Sequence, residues 1–198
     1  MTSTADPDQA TRNPQPARYT LAFLPVELEP LRTRLAELPA TQRSSRALVI
    51  HHVFDGAVLG HHRTARLQVE ATRAILIPKP AGDASSDPEP DPIEIAWSSA
   101  GAAARWLHQW GLRQQQYREC YREEWSIGDL TFHIENWPDL PTLLTINGPD
   151  EAAVRRAARR LHLPDSGLSG TIEDIYAATT GRDITSESTL LFPREMIR

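Results

Sequence analysis

The stretch QQYRECYREEWSIGDLTFHIENW, residues 115–137, constrains the fold of this chain more than any other. It divides at Gly128-Asp129 into two runs that contain aromatic and β-branched residues. A turn-forming Gly-Asp pair between two such runs is typical of a β-hairpin. The sequence therefore predicts two neighbouring antiparallel strands, to which the rest of a sheet must be added.

Further strands and helices alternate along the chain in two similar halves. Strands are predicted in ARYTLAFLP, ALVIHHVF, HHRTARLQVEATRAILIPKP, IEIAW and LLTING. Helices are predicted in VELEPLRTRLAEL, in SSAGAAARWLHQWGL and over residues 150–161. Because strands outnumber helices and short turns join most of them, the pattern indicates an antiparallel α+β domain. The sheets of two such halves can close into a β-barrel.

The length of 198 residues fits one domain with tails. Residues 18–185 form the predicted domain, between an N-terminal tail (1–17) and a C-terminal tail (186–198). Residues 81–92 are acidic and Pro-rich, which predicts a solvated loop.

Charge and cysteine content limit which binding partners and which cellular compartment fit this sequence. The net charge of −5 argues against nucleic acid as a partner. The single cysteine, Cys120, excludes an internal disulfide and fits a reducing cytoplasm. No apolar run is long enough to span a bilayer, and the N-terminal residues do not resemble a signal peptide. We therefore expect a cytoplasmic protein without a membrane partner.

The second half of the chain resembles the CYTH family of triphosphate tunnel proteins, which includes class IV adenylate cyclases and thiamine triphosphatases. The resemblance lies in YRECYREEWSIGDLTFHIENWPDLPTLLTINGPDEAAVRRAARRLHL and in the later TIEDIYAATTGRDI. It extends over about residues 18–185. It implies an eight-stranded antiparallel β-barrel, a tunnel with helices packed outside, whose interior holds metal-binding acids and triphosphate-binding bases.

This chain departs from the family at its metal-binding glutamates. The family's first strand carries Glu-x-Glu-x-Lys, whereas the matching residues 18–22 contain neither glutamate nor lysine. The family's last glutamate strand reads Glu-Ile-Glu-Gly, and Thr145-Ile146-Asn147-Gly148 keeps the spacing without the carboxylates. The comparison implies no obligatory cofactor, with at most one weakly bound Mg²⁺ or Mn²⁺. Thr145 and Asn147 become candidate hydrogen-bonding groups for a substrate.

Other charged positions of the family's tunnel are retained in part. The candidate substrate-binding residues among them are Arg66, Gln68 (in place of a second arginine), Lys79 and Arg122. The candidate catalytic acids are Glu94 and Glu135, joined by Glu70, which shares a strand face with Arg66 by alternation.

Histidines and tryptophans supply further candidates. His51 belongs to HHVFDGAVLGHHR and matches a position where the family usually has an acid. Its imidazole is open to three interpretations: a solvent-facing residue, an acid–base group, or, together with His61 or His62, a metal ligand. Trp125 is predicted to line the tunnel. Trp106 and Trp110, one helical turn apart, are predicted to pack a helix against the sheet.

Three functions follow from these residues. The first is an enzyme that acts on a small organic anion by metal-independent acid–base chemistry of a cyclising, eliminating or isomerising kind. The second is a binding module for an anion such as a nucleotide or polyphosphate. The third is a conventional metal-dependent cyclase or triphosphatase. Assembly into a homodimer stays open.

Overall fold

The computed structural model describes residues 19–56, 63–70, 73–79, 93–95 and 100–194. The strands are β1 (Tyr19–Phe23), β2 (Thr41–Gly56), β3 (Arg63–Glu70), β4 (Arg73–Lys79), β5 (Ile93–Ile95), β6 (Arg113–Ile127), β7 (Leu130–Asn136), β8 (Leu143–Gly148) and β9 (Thr189–Leu190). The helices are α1 (Leu28–Glu37), α2 (Ala100–Gln109), α3 (Glu151–Arg160) and α4 (Ile172–Thr180), with a 3-10 turn at Ile184–Ser186. No helix in these ranges is long and apolar enough to cross a bilayer.

Eight strands form one antiparallel sheet in the order β1-β8-β7-β6-β2-β3-β4-β5. The predicted hairpin lies at its centre, where Ile127 pairs with Leu130 across Gly128-Asp129. Gly128 has φ of 52°, a left-handed conformation that glycine adopts without strain. The antiparallel α+β prediction is confirmed.

The sheet is not closed, which differs from the closed barrel expected. Within the described ranges no ladder joins β1 to β5. Part of the free edge of β1 is instead hydrogen-bonded to the segment around Leu168, since Ala22 and Leu168 exchange two backbone hydrogen bonds of 2.8 Å. At the other edge β5 has only three residues, which offer few backbone groups for a further strand.

One face of the sheet is apolar and carries three helices. Alternate side chains of β1, β7 and β8 pack with α1 and α3, around the fully buried Phe132 and Leu35. Side chains of β2, β3 and β4 pack with α2, around Phe54 and Leu67. These three helices lie on the outside of the sheet, as predicted.

Helix α3 begins where the sequence placed it. The Asp150 carboxylate accepts a 2.7 Å hydrogen bond from the Ala153 backbone N–H, which caps the helix. At the preceding strand end, a Cβ added to Gly148 would lie 2.8 Å from side-chain atoms of both Leu130 and Val154. Glycine therefore lets β8 approach α3 closely.

The opposite face of the sheet is polar, and the C-terminal segment covers part of it. Tyr176 of α4, Ile184 and Leu190 pack on Val49, Cys120 and Leu143. Leu190 belongs to β9, which pairs parallel with β6. Part of the expected C-terminal tail is thus built into the sheet.

Helix α2 shows a second difference from expectation. Trp106 and Trp110 are 37% and 65% exposed, so the prediction that they pack against the sheet is wrong. Ala103 and Leu107, four residues apart, form the buried stripe instead. The two indoles contact each other, with ring centroids 5.4 Å apart.

Several predicted features lie outside the described residues. They are the N-terminal tail 1–17, the acidic loop 81–92, and the histidines His61 and His62.

Candidate functional site

Strand register gathers most of the candidate residues on the polar face. His51 pairs with Gln68 on one side and with Arg118 on the other. Val49, two residues before His51, pairs with Glu70 and with Cys120. Directly opposed residues of an antiparallel sheet point to the same face, so these side chains form one layer.

His51 lies at the centre of this layer. It is 2% exposed, and its ring stacks on Trp137 with centroids 5.2 Å apart and an interplanar angle of 23°. Burial is the largest cause that holds the pKa of His51 well below its usual value, and the charges of nearby arginines add to it. Those arginines are Arg122, Arg66 and Arg118. His51 is therefore a neutral imidazole at pH 7, with one N–H donor and one acceptor nitrogen.

Buried polar atoms around His51 lack protein partners. Among the described residues, neither ring nitrogen of His51 has a hydrogen-bond partner, and the same holds for Oε1 of Glu70. Leaving a buried donor or acceptor unsatisfied costs about 1–3 kcal/mol. Such groups in a folded protein require an explanation, and a catalytic role is one such explanation.

Arg122 and Glu135 form a buried ion pair beside His51. Nε and Nη2 of Arg122 both lie 2.7 Å from Oε1 of Glu135. Burial alone would raise the pKa of Glu135, but Arg122 outweighs it and the pKa is lowered. The other carboxylate oxygen lies 3.3 Å from Nε1 of Trp137 and 3.5 Å from Oγ1 of Thr145. Glu135 is therefore an ionised residue that fixes its neighbours, and a weak base.

Helix α4 closes one end of the polar face. Its Glu173 pairs with Arg118 at 2.5 Å, and Arg118 also donates to Gln116. Burial opposes the charge of Glu173, but Arg118 brings the pKa of that carboxyl down to about 2. The pair is thus ionised at neutral pH.

A line of hydrogen bonds crosses the other end of the face. The Thr20 hydroxyl donates to Oδ1 of Asn147 at 2.8 Å, and Nδ2 of Asn147 lies 3.5 Å from Nδ1 of His133. Nε2 of His133 lies 3.5 Å from a carboxylate oxygen of Glu124. This end is more open, since the side chains of His133 and Glu124 are 21% and 31% exposed.

Three predicted residues lie away from this centre. Glu94 pairs with Ile75 of β4 and therefore points to the same face, but it is exposed on the edge strand β5. The backbone of Lys79 pairs with Thr64, and its side chain lies outside the described part of the chain. Trp125 lies on the opposite face, where its indole donates to Glu123 at 2.7 Å and packs against the helices. Trp125 was expected to line the tunnel, but its indole does not lie on the polar face.

Other residues of the site escaped sequence reasoning. Arg118, His133, Glu124 and Glu173 all contribute side chains to it. Strand alternation could have found them, since Arg118 and Glu124 share a strand face with Arg122, and His133 shares one with Glu135. Glu173 gave no signal, because its contact depends on how α4 folds back. Trp137, which was not among the candidates, stacks on His51.

The residues present do not fit the divalent cation that the tunnel family uses. Among the described residues, no group of three or more His, Cys, Asp or Glu side chains is placed to hold a metal ion. Glu135 is engaged by Arg122, and Thr145 and Asn147 are neutral. Cys120 is a poor ligand as well, because burial strongly raises the pKa of its thiol.

Comparison with known proteins identifies the fold. No family model matches the sequence, and no curated protein matches it significantly. Among solved structures, a putative adenylate cyclase from Vibrio parahaemolyticus aligns with a TM-score of 0.63 and 12% identity, over 80% of this chain and 97% of the other.

Two archaeal structures align similarly. The PH1012 protein of Pyrococcus horikoshii has a TM-score of 0.59 and 16% identity, over 77% of this chain and 94% of its own. A conserved hypothetical protein from Pyrococcus furiosus has a TM-score of 0.55 and 14% identity, over 73% and 90%. The chain shares the fold of these proteins, as the resemblance to the CYTH family predicted.

Proposed function

We propose that this chain is an enzyme that binds a small organic anion on the polar face of its sheet and transfers a proton without a resident metal. The observation that carries the proposal is the group of buried atoms without protein partners, namely both nitrogens of His51 and one oxygen of Glu70. A ligand that hydrogen-bonds to them removes the cost of their burial.

The arginines around these atoms favour an anionic ligand. Arg66, Arg118 and Arg122 all act electrostatically on His51. Two of them already face protein carboxylates, Glu173 and Glu135. Glu70 adds a third carboxylate opposite the three arginines, so a ligand with one or two carboxylates fits this face better than a triphosphate.

Roles for the two unsatisfied residues follow from their charge. Protonation of His51 is opposed by burial and by the arginines, so it acts as a neutral donor towards a developing negative charge on the substrate. Glu70 is the candidate base: its carboxylate takes the proton that leaves the substrate. The negative charge left on the substrate is stabilised by the guanidinium groups.

The test compares ligands and then turnover. Thermal unfolding is followed with di- and tricarboxylates in EDTA, and with tripolyphosphate and ATP with and without Mg²⁺. A bound ligand raises the melting temperature by an amount that grows with the logarithm of its concentration over its dissociation constant. We expect a carboxylate to stabilise the protein in EDTA, and His51→Phe to abolish the shift.

Turnover of the stabilising compound is then followed by proton NMR. Glu70→Gln is expected to bind that compound and not convert it, whereas the exposed Glu37→Gln behaves as the wild type. Binding without conversion by the wild type supports the second function, a binding module for an anion. Stabilisation by tripolyphosphate or ATP that requires Mg²⁺, with no carboxylate effect, overturns the proposal and supports the activity named for the Vibrio structure.

A further inference from the structure

A partly open cavity lies on the helix-covered side of the sheet. Its volume is about 200 Å³, and it is bordered by the end of α1, the β6–β7 hairpin and one side of α3. Its apolar wall includes Leu38, Ile127, Leu130 and Phe132. Phe132 neighbours His133 in β7, so alternation directs the two side chains to opposite faces. The cavity is thus separated from the polar face by the sheet.

Two arginines stand at this cavity. Arg156 and Arg160 line it from successive turns of α3, and both are exposed. None of the residues that line the cavity is acidic, and neither arginine forms an ion pair within the described part of the chain. Like charges four residues apart on a helix repel each other, so the pair lowers helix stability slightly. An anion placed between them relieves that repulsion.

We infer that this cavity binds a small aromatic carboxylate, with the ring against the partly buried Ile127 and Leu130 and the carboxylate at Arg156 and Arg160. The volume decides the size, because an apolar cavity of about 150 Å³ takes up benzene, and drug-sized ligands need about 300 Å³ or more. The arginines decide the charge, since guanidinium groups bind carboxylates through paired hydrogen bonds.

The probe for this site is hydrocinnamate, a phenyl ring on a short carboxylate chain. Its binding is measured on the full chain by carbon–proton NMR of the methyl groups, with those of Leu38, Ile127 and Leu130 expected to shift. Propionate, which lacks the ring, and hydrocinnamyl alcohol, which lacks the charge, are each expected to bind at least about tenfold more weakly.

Matched variants test the two parts of the site. The double variant Arg156→Gln/Arg160→Gln is expected to weaken hydrocinnamate binding at least about tenfold, whereas Arg159→Gln, on the same helix but outside the cavity, leaves it unchanged. Ala153→Leu fills the cavity and is expected to abolish binding, while Ala152→Leu, on an exposed neighbour, is not. Thermal unfolding confirms that each variant folds.

The inference is overturned by any one of three results. One is the absence of methyl shifts at millimolar hydrocinnamate. Another is equal affinity in the double variant and in Arg159→Gln. The third is a dimer that forms with rising concentration in sedimentation while the NMR signals of the cavity residues disappear. That result would identify a second copy of the chain as the occupant.

Discussion

His51 illustrates how position in the sheet decides the chemistry of a residue. Exposed on a strand edge, the same imidazole would titrate near neutrality. Here burial and neighbouring arginines keep it neutral, and Trp137 fixes its plane. The environment therefore converts a proton carrier into a fixed hydrogen-bonding group.

The stability of the protein is expected to fall as the pH falls below about 6.5. In the unfolded chain His51 takes up a proton near that pH, whereas in the folded chain its lowered pKa prevents uptake. The unfolded state then binds more protons than the folded state. Each extra proton lowers the free energy of unfolding by about 1.4 kcal/mol for every unit by which the pH falls. Urea unfolding at pH 7.5 and pH 5.5 measures the difference.

The variant His51→Phe retains a ring against Trp137 and does not titrate. We expect it to lose less stability between these two pH values than the wild type, with the rest of the dependence coming in part from His52, whose pKa burial also lowers. His162→Asn is the control, because His162 is exposed and its φ of 56° is one that asparagine tolerates. An identical pH dependence in His51→Phe and the wild type would contradict this assignment.

At the scale of elements, the C-terminal segment completes the site. Helix α4 brings Glu173 to Arg118. Strand β9 pairs in parallel with the part of β6 that contains Tyr117. The backbone N–H of Tyr117 donates to Ser188 at 2.9 Å, which continues this attachment. The segment therefore has a structural role in addition to covering the polar face.

Two adjacent leucines test that role. Leu190 is 2% exposed and packs among Val49, Cys120 and Tyr176, whereas Leu191 is 38% exposed. Leu190→Ala is expected to lower the free energy of unfolding by about 2–4 kcal/mol, because it leaves a cavity in this cluster. Leu191→Ala is expected to change it by no more than about 0.5 kcal/mol. Urea unfolding of both variants measures the difference, and equal effects would show that β9 is not docked in solution.

For the whole molecule, one sheet joins all three apolar clusters. Strand β6, with 15 residues, pairs with β2, β7 and β9 and so contacts both halves of the chain. Neither face can lose its packing while the other stays intact, because alternate residues of the same strands form both.

Unfolding is therefore expected to be a single transition. The midpoint in urea from far-ultraviolet circular dichroism should equal the midpoint from tryptophan fluorescence. Subtracting the fluorescence of Trp137→Phe isolates the signal of Trp137, which is 5% exposed on the polar face. Its midpoint should agree with the other two. A separate, earlier loss of the Trp137 signal would show that α4 and the polar face unfold independently.

Short-range patterns in the sequence were enough to predict the local elements. The Gly128-Asp129 turn, the Asp150 cap and the alternation of β7 each depend on residues close together in the chain, so their patterns were readable. Alternation also placed Glu70 on one strand face with Arg66 and Gln68, and the structure has them on the face that carries Glu135.

The pairing of charged residues, by contrast, depends on how distant parts of the chain pack together. It paired Arg118 with Glu173 across 55 residues, placed Trp125 on the helix-covered face, left Trp106 and Trp110 exposed, and kept the sheet open between β1 and β5. These outcomes depend on how α2 and α4 pack and on what occupies each sheet edge. Such contacts join residues far apart in the chain, and the free energy of burial that selects them has no local signature.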